Sequence, residues 1–424
     1  MRPADVHIDD LAEPRFSAEA RQMLAAMAEI APACTLQPDE LMALAVRQTE
    51  ASGRRMDDFG DEAFREPLEI LCRSLREEAG LAEHGRVVWH VQLVNQLVGR
   101  LRLQDLLTRH PEIHDVEIER PIIIAGLPRT GTTHLHNLLS ADPALRPLPY
   151  WEACEPVPPP GEEGTIEPRL QRVAASLELV HTALPYLKRM FDLTPTYSHE
   201  EGGLLALTFA STHLEIQAML PSYRDWYLGT DQTFAYEYLR TALKAITWQR
   251  PGGRWVLKAP QHLEQLGPLM HAFPDATVVV THRDPVAVTA SLTTMLCYGL
   301  RMTTSPIDPH AVGRYWKDRA ATYMERCLRD RDLAPKEQSI DVLFHEFMAD
   351  DIAMVERIYQ VAEQPFTDGT RQAMREYMAE HPRGRHGRVD YRLADIGLEL
   401  AERRAALTPY VERFGVHVEN VRER

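Results

Sequence analysis

The stretch PIIIAGLPRTGTTHLHNLL (121–139) decides how the rest of the chain is read. Three isoleucines in a row form a short, fully apolar run of the kind that fills a strand buried on both faces. Gly126 then ends the run, and the apolar spacing from Thr132 onward is that of a helix. A strand that turns sharply into a helix leaves several backbone N–H groups aimed at one point, and the helix dipole adds positive potential there. Thr130, Thr132 and Thr133 offer hydroxyl donors, Gly131 permits the turn, and Arg129 adds a rigid cationic fork. The pattern predicts an anion cradle. It departs from the ATP-binding loop G-x-x-x-x-G-K-[ST], because Thr132 stands where that loop has lysine.

Outward from this loop the chain divides in two. After it, apolar runs alternate with amphipathic helices: RWVLKA (254–259), ATVVVTHR (276–283) and SIDVLFH (339–345). That alternation predicts an α/β fold, a P-loop-like parallel sheet flanked by helices. Before it, residues 1–117 read as helical throughout. Leu68, Leu71, Cys72 and Leu75 keep the i, i+3, i+4, i+7 spacing, as do Val94, Leu97, Val98 and Leu101. The expected organisation is an all-helical N-terminal region (1–117) followed by the P-loop-like domain (118–424). GLLALTFASTHLEIQAML (203–220) reads as one buried helix, being too polar to span a bilayer.

Composition narrows the function. The 424 residues carry a formal net charge of −15. An acidic surface repels polyanions, so nucleic acid is not an expected partner, and an anionic ligand needs a local basic pocket. Five dispersed cysteines, none in C-x-x-C spacing, point to a reducing compartment and to no metal site. The N-terminal MRPADVHIDDLAEPRF lacks the apolar core of a signal peptide, and no transmembrane segment is expected, so the expected location is cytoplasmic.

A second anchor follows the 276–281 strand. Arg283 stands at its end, Asp284-Pro285 opens a helix, and Ser291 lies eight residues after the arginine. An arginine and a serine so placed can grip one phosphate from two sides. Together, GLPRTGTT and RDPVAVTAS resemble the 5′-phosphosulfate loop and the 3′-phosphate motif of sulfotransferases that use 3′-phosphoadenosine 5′-phosphosulfate (PAPS). HPRGRHGRVDY (381–391) is similar to the basic segment that closes over the 3′-phosphate in that family, with Arg383, Gly384 and Arg385 as contacts. The similarity spans residues 118–395, and the helical first 117 residues look like those of a bacterial group of the family. Arg129 stands where many cytosolic members have lysine, while many bacterial members have arginine.

The resemblance implies PAPS as sulfuryl donor, no metal, and a small-molecule hydroxyl acceptor. It also implies roles for Lys258 as the cation bridging donor and leaving group and for His262 as general base. Two more residues separate this pair here than in the cytosolic enzymes. Imidazole titrates near neutrality and suits the base role. Glu200 is the rival base, and His199 and Glu200 are expected at the acceptor site. The aromatic-rich segment 184–227 favours a hydrophobic acceptor such as a sterol, lipid alcohol or phenol. A degenerate kinase or NTPase and a non-catalytic relative are the alternatives. The oligomeric state is open, a homodimer included.

Overall fold

The computed structural model describes residues 3–423. Its centre is a five-stranded sheet: β2 (Ile122–Ala125), β3 (Leu145–Arg146), β4 (Arg254–Ala259), β5 (Thr277–His282) and β6 (Ser339–Leu343), in the spatial order β3-β4-β2-β5-β6. Every neighbouring pair is parallel. The isoleucine strand lies in the middle, with Ile124 opposite Lys258 on one side and Val279 on the other.

Side chains alternate between the two faces of a strand, and that period sorts the apolar residues into two cores. Ile123, Leu257, Val278 and Val280 join one core with helices that include Thr233–Gln249. Ile122, Ile124, Val256 and Val279 join the other with Leu135, Leu138 and Val355. Because both faces are covered, the strands tolerate unbroken apolar runs. The chain enters the sheet at β2 and later places β4 and β5 on opposite sides of it. Ligands of open α/β sheets gather outside the strands' carboxyl ends at such a reversal.

Among the described residues, the N-terminal region holds four α-helices: α1 (Ala18–Ile30), α2 (Pro38–Ala51), α3 (Arg65–Glu77) and α4 (Glu83–Arg109). The apolar stripes of α2, α3 and α4 share a core with Phe209, Leu214 and Tyr223 of the later chain. The region also contains a strand that its polar sequence conceals. Val6–His7 (β1) pairs in parallel with Val389–Asp390 (β7), tying the N-terminus to the basic 381–391 segment.

The single helix expected over 203–220 is not formed. Short turns at Gly202–Leu205, Ala206–Thr208 and Thr212–Glu215 replace it, broken at Phe209, whose φ of 57° lies in the left-handed region. Local side-chain bonds outcompete the helix there. The Thr208 hydroxyl donates to the Leu205 carbonyl, and Ser211 caps the following turn through the His213 amide.

Gly126 sits where β2 ends, and a Cβ built on it would lie 1.9 Å from Thr281 Oγ1 of β5. Gly126→Ala should therefore destabilise the fold by about 1–3 kcal/mol through overpacking. A lower urea midpoint at unchanged m-value is the expected reading.

Candidate active site

The loop after β2 turns through two residues of positive φ, Arg129 at 76° and Gly131 at 90°. A non-glycine residue held there costs on the order of 1 kcal/mol and persists only where its surroundings enforce it. Helix α5 (Thr132–Ser140) begins immediately, so its first amides have no intrahelical partner. Thr132 and Thr133 line the adjoining cleft. Thr130 does not serve as expected. It is buried, its hydroxyl donates to the Leu127 carbonyl at 2.6 Å, and it also meets Thr281 Oγ1 at 2.7 Å. Its amide is spent on Leu127 as well. Thr130 fastens the loop to β5 and has no donor left for an anion.

The fastening brings the two anchors together. Arg129 Nε donates to Ser291 Oγ at 2.9 Å, and Arg283 Nη1 donates to the Arg129 carbonyl at 2.7 Å. Asp284 caps the helix Pro285–Leu300, accepting from the Val286 amide at 2.8 Å, and this sets Ser291 on the side facing the loop. The guanidinium of Arg129 reaches sideways, also donating to the Met190 carbonyl and the Tyr391 hydroxyl. The Phe344 ring lies under the Arg283 guanidinium at 4.2 Å. A cleft of about 600 Å³ runs from Arg129, Thr132 and Thr133 past Arg283 to Arg383, Gly384 and Arg385. Arg383 pairs with Asp351, and Arg385 and His386 both pair with Asp192. The basic 381–391 segment thus closes one side of the cleft, latched across it by Asp192. Burial works against the Asp192 charge, but Arg385 and His386 outweigh it and hold its carboxyl below the usual range.

A second, apolar cavity of about 360 Å³ adjoins the loop and shares Arg129, Thr132 and Thr133 with the first. Leu184, Leu187, Phe191, Leu292, Met295 and Trp316 line it, and Glu200, His199 and His213 contribute its polar patch. Burial pushes the imidazoles of His199 and His213 down, so both are neutral near pH 7. Of the aromatic residues of 184–227, Phe191 reaches this cavity, whereas Phe209 and Tyr223 belong to the N-terminal core.

The structure places the two candidate bases in different surroundings. His262 lies in a 3₁₀ turn (Pro260–Glu264) before the next helix, is wholly buried, and lines neither cavity. Both of its ring nitrogens are committed. Nε2 donates to Glu201 Oε1 at 2.5 Å, and Nδ1 accepts from the Tyr236 hydroxyl at 2.9 Å. Lys258 is also buried, but its ammonium pairs with Glu200, and its backbone amide donates to Glu201 Oε2 at 2.9 Å. The lysine therefore reaches the apolar cavity through Glu200.

The fold is similar to that of known proteins. The model of the sulfotransferase family matches residues 121–368, more than half of the chain. The chain belongs to the sulfotransferase family. Among solved structures, the sulfotransferase STF1 of Mycobacterium tuberculosis is similar over 88% of this chain and 98% of its own, at 32% identity and a TM-score of 0.77. The sulfotransferase STF9 of Mycobacterium avium is similar over 91% of this chain and 98% of its own, at 26% identity and a TM-score of 0.80. No curated protein matches the sequence. The resemblance to bacterial sulfotransferases therefore holds, N-terminal helices included. No helix among the described residues is long and apolar enough to cross a membrane, and none of their His, Cys, Asp and Glu side chains cluster in threes as metal ligands would.

Several residues of this sulfotransferase site carry no local signal in the sequence. Glu201 organises the site by bonding His262 and the Lys258 amide at once. It was legible only as one of two adjacent glutamates. Tyr236, Tyr391 and Glu419 come from distant segments, and only the fold brings them in. Burial raises the cost of the Glu201 charge, but His262 and the Lys258 amide outweigh it and hold the carboxyl below its ordinary value. A carboxylate lowered in the folded state contributes stability that is fully present above the unfolded value and is lost as pH falls through the folded one. Urea unfolding should therefore show stability declining below pH 4.5, the ordinary glutamate value. Glu201→Gln, less stable at neutral pH, should show a shallower decline over the same range.

Proposed function

We propose that this sulfotransferase moves a sulfuryl group from PAPS to a hydroxyl of a small hydrophobic acceptor, with Glu200 as general base. The observation that carries the reading is the junction of two cavities at Arg129, Thr132 and Thr133, one basic and the other apolar with a carboxylate in its wall. The donor fits the first. The α5 amides suit a 5′-phosphosulfate, and Arg283 with Ser291 suits a 3′-phosphate, a group that ATP lacks. PAPS supplies an activated sulfuryl group bound to a good leaving group.

The chain's residues do the rest. Glu200 accepts the acceptor's hydroxyl proton as the new S–O bond forms. The S–O bond to the 5′-phosphate breaks on the opposite side of sulfur. Thr132, Thr133 and the α5 amides stabilise the charge that gathers on that phosphate. Lys258 neutralises the Glu200 side of the site before proton transfer. His262 acts indirectly, holding Glu201 and through it the Lys258 backbone. The apolar lining of the second cavity favours sterols, lipid alcohols or phenols over glycans.

The test is a screen of such acceptors with radiolabelled PAPS. The wild type should sulfate an apolar alcohol or phenol. Glu200→Gln should lose about 10²–10⁴-fold in kcat with unchanged affinity for 3′-phosphoadenosine 5′-phosphate (PAP), and should melt at a lower temperature because the buried Lys258 ammonium loses its partner. Full turnover by this variant contradicts the base assignment.

A further inference from the structure

The Arg283 fork is already gripped by a carboxylate. Its Nε and Nη2 donate to the two oxygens of Glu419 at 2.6 and 2.7 Å, and its third nitrogen holds the Arg129 carbonyl at 2.7 Å. Paired donors on two oxygens of one anion are the geometry in which arginine binds phosphate. Ser291, the other expected phosphate contact, is meanwhile engaged by Arg129. Glu419 lies near the end of the described chain and lines the same wide cleft as Arg283, Ser291 and Arg388.

Glu419 is not docked through this side chain. Its amide donates to Asp284 Oδ2 at 2.6 Å, and its carbonyl accepts from Arg404 Nη2 at 2.8 Å. Arg404 Nη1 donates to Asp284 Oδ1 at 2.6 Å, closing the clamp. Further along, Arg422 and Glu423 carbonyls accept from the Leu393 and Ala394 amides. The backbone is fixed independently, and it aims the carboxylate at Arg283.

We propose that Glu419 is a positioning residue of the sulfotransfer cycle: it holds the Arg283 fork where a 3′-phosphate binds, yields it to the entering donor and reclaims it as the product leaves. The proposal rests on the donor reading above. A 3′-phosphate and the Glu419 carboxylate are both acceptors and both anionic, so they cannot share the fork's two donors without strong repulsion. Part of the donor's binding energy is spent on moving Glu419. The same competition speeds release of PAP, which keeps the 3′-phosphate.

The test compares wild type and Glu419→Gln by calorimetry with PAP and with adenosine 5′-phosphate, which lacks the 3′-phosphate. Glutamine keeps the volume and the backbone clamp while removing the charge. PAP should bind the variant about tenfold or more tightly and leave it correspondingly more slowly, with adenosine 5′-phosphate affinity unchanged. Equal or weaker PAP binding by the variant overturns the proposal. So does an equal shift for both nucleotides, the signature of a merely structural role. Failure of PAP to bind either protein instead contradicts the donor reading itself.

Discussion

The closeness of the Gly126 backbone to Thr281 governs the rest of the site. Only a residue without a side chain lets the loop after β2 lie against the end of β5, and Thr130 locks it there. Two motifs more than 150 residues apart thereby share one rim. Arg129 reaches Ser291, and Arg283 reaches the Arg129 carbonyl. Without that contact, the helix N-terminus and the second anchor would be two separate basic spots, each working alone against a net charge of −15. With it, the cleft concentrates Arg129, Arg283, Arg383 and Arg385 locally.

Buried charge is managed in the same way beside the apolar cavity. Adjacent glutamates take opposite tasks because β4 presents its amide to one and its lysine side chain to the other. Glu201 points inward and ties His262 to the strand, whereas Glu200 faces the apolar cavity with Lys258 behind it. Removing one partner of such a buried pair leaves an uncompensated charge, which is costlier than the pair itself is favourable. The arrangement therefore fixes where the carboxylate and the ammonium sit relative to the loop, which is what an in-line displacement requires.

Much of this was legible before the fold was known, and the reason is local. β-Branched runs buried on two faces announce their strands, and the 3.6-residue spacing of Leu68, Leu71, Cys72 and Leu75 announces a helix. The residues closest to the two anchors also follow from short-range geometry: a turn into a helix, a proline-opened cap, a serine two turns on. What was missed depends on distance. Val6–His7 pairs with Val389–Asp390 through backbone alone, so its side chains carry no pattern. The 203–220 stretch has helical composition, yet Thr208 and Ser211 divert its hydrogen bonds. The resemblance implies a base at His262, whereas Glu201 and Tyr236, which occupy both of its nitrogens, come from segments no local pattern connects to it.

The most direct measurement is a crystal structure of the protein with PAP. The account predicts the 5′-phosphate within hydrogen-bonding distance of the Thr132 and Thr133 amides, and the 3′-phosphate on Arg283 and Ser291 with Glu419 turned away. A nucleotide bound with its phosphates elsewhere, or its 3′-phosphate in open solvent while Glu419 keeps Arg283, would contradict it.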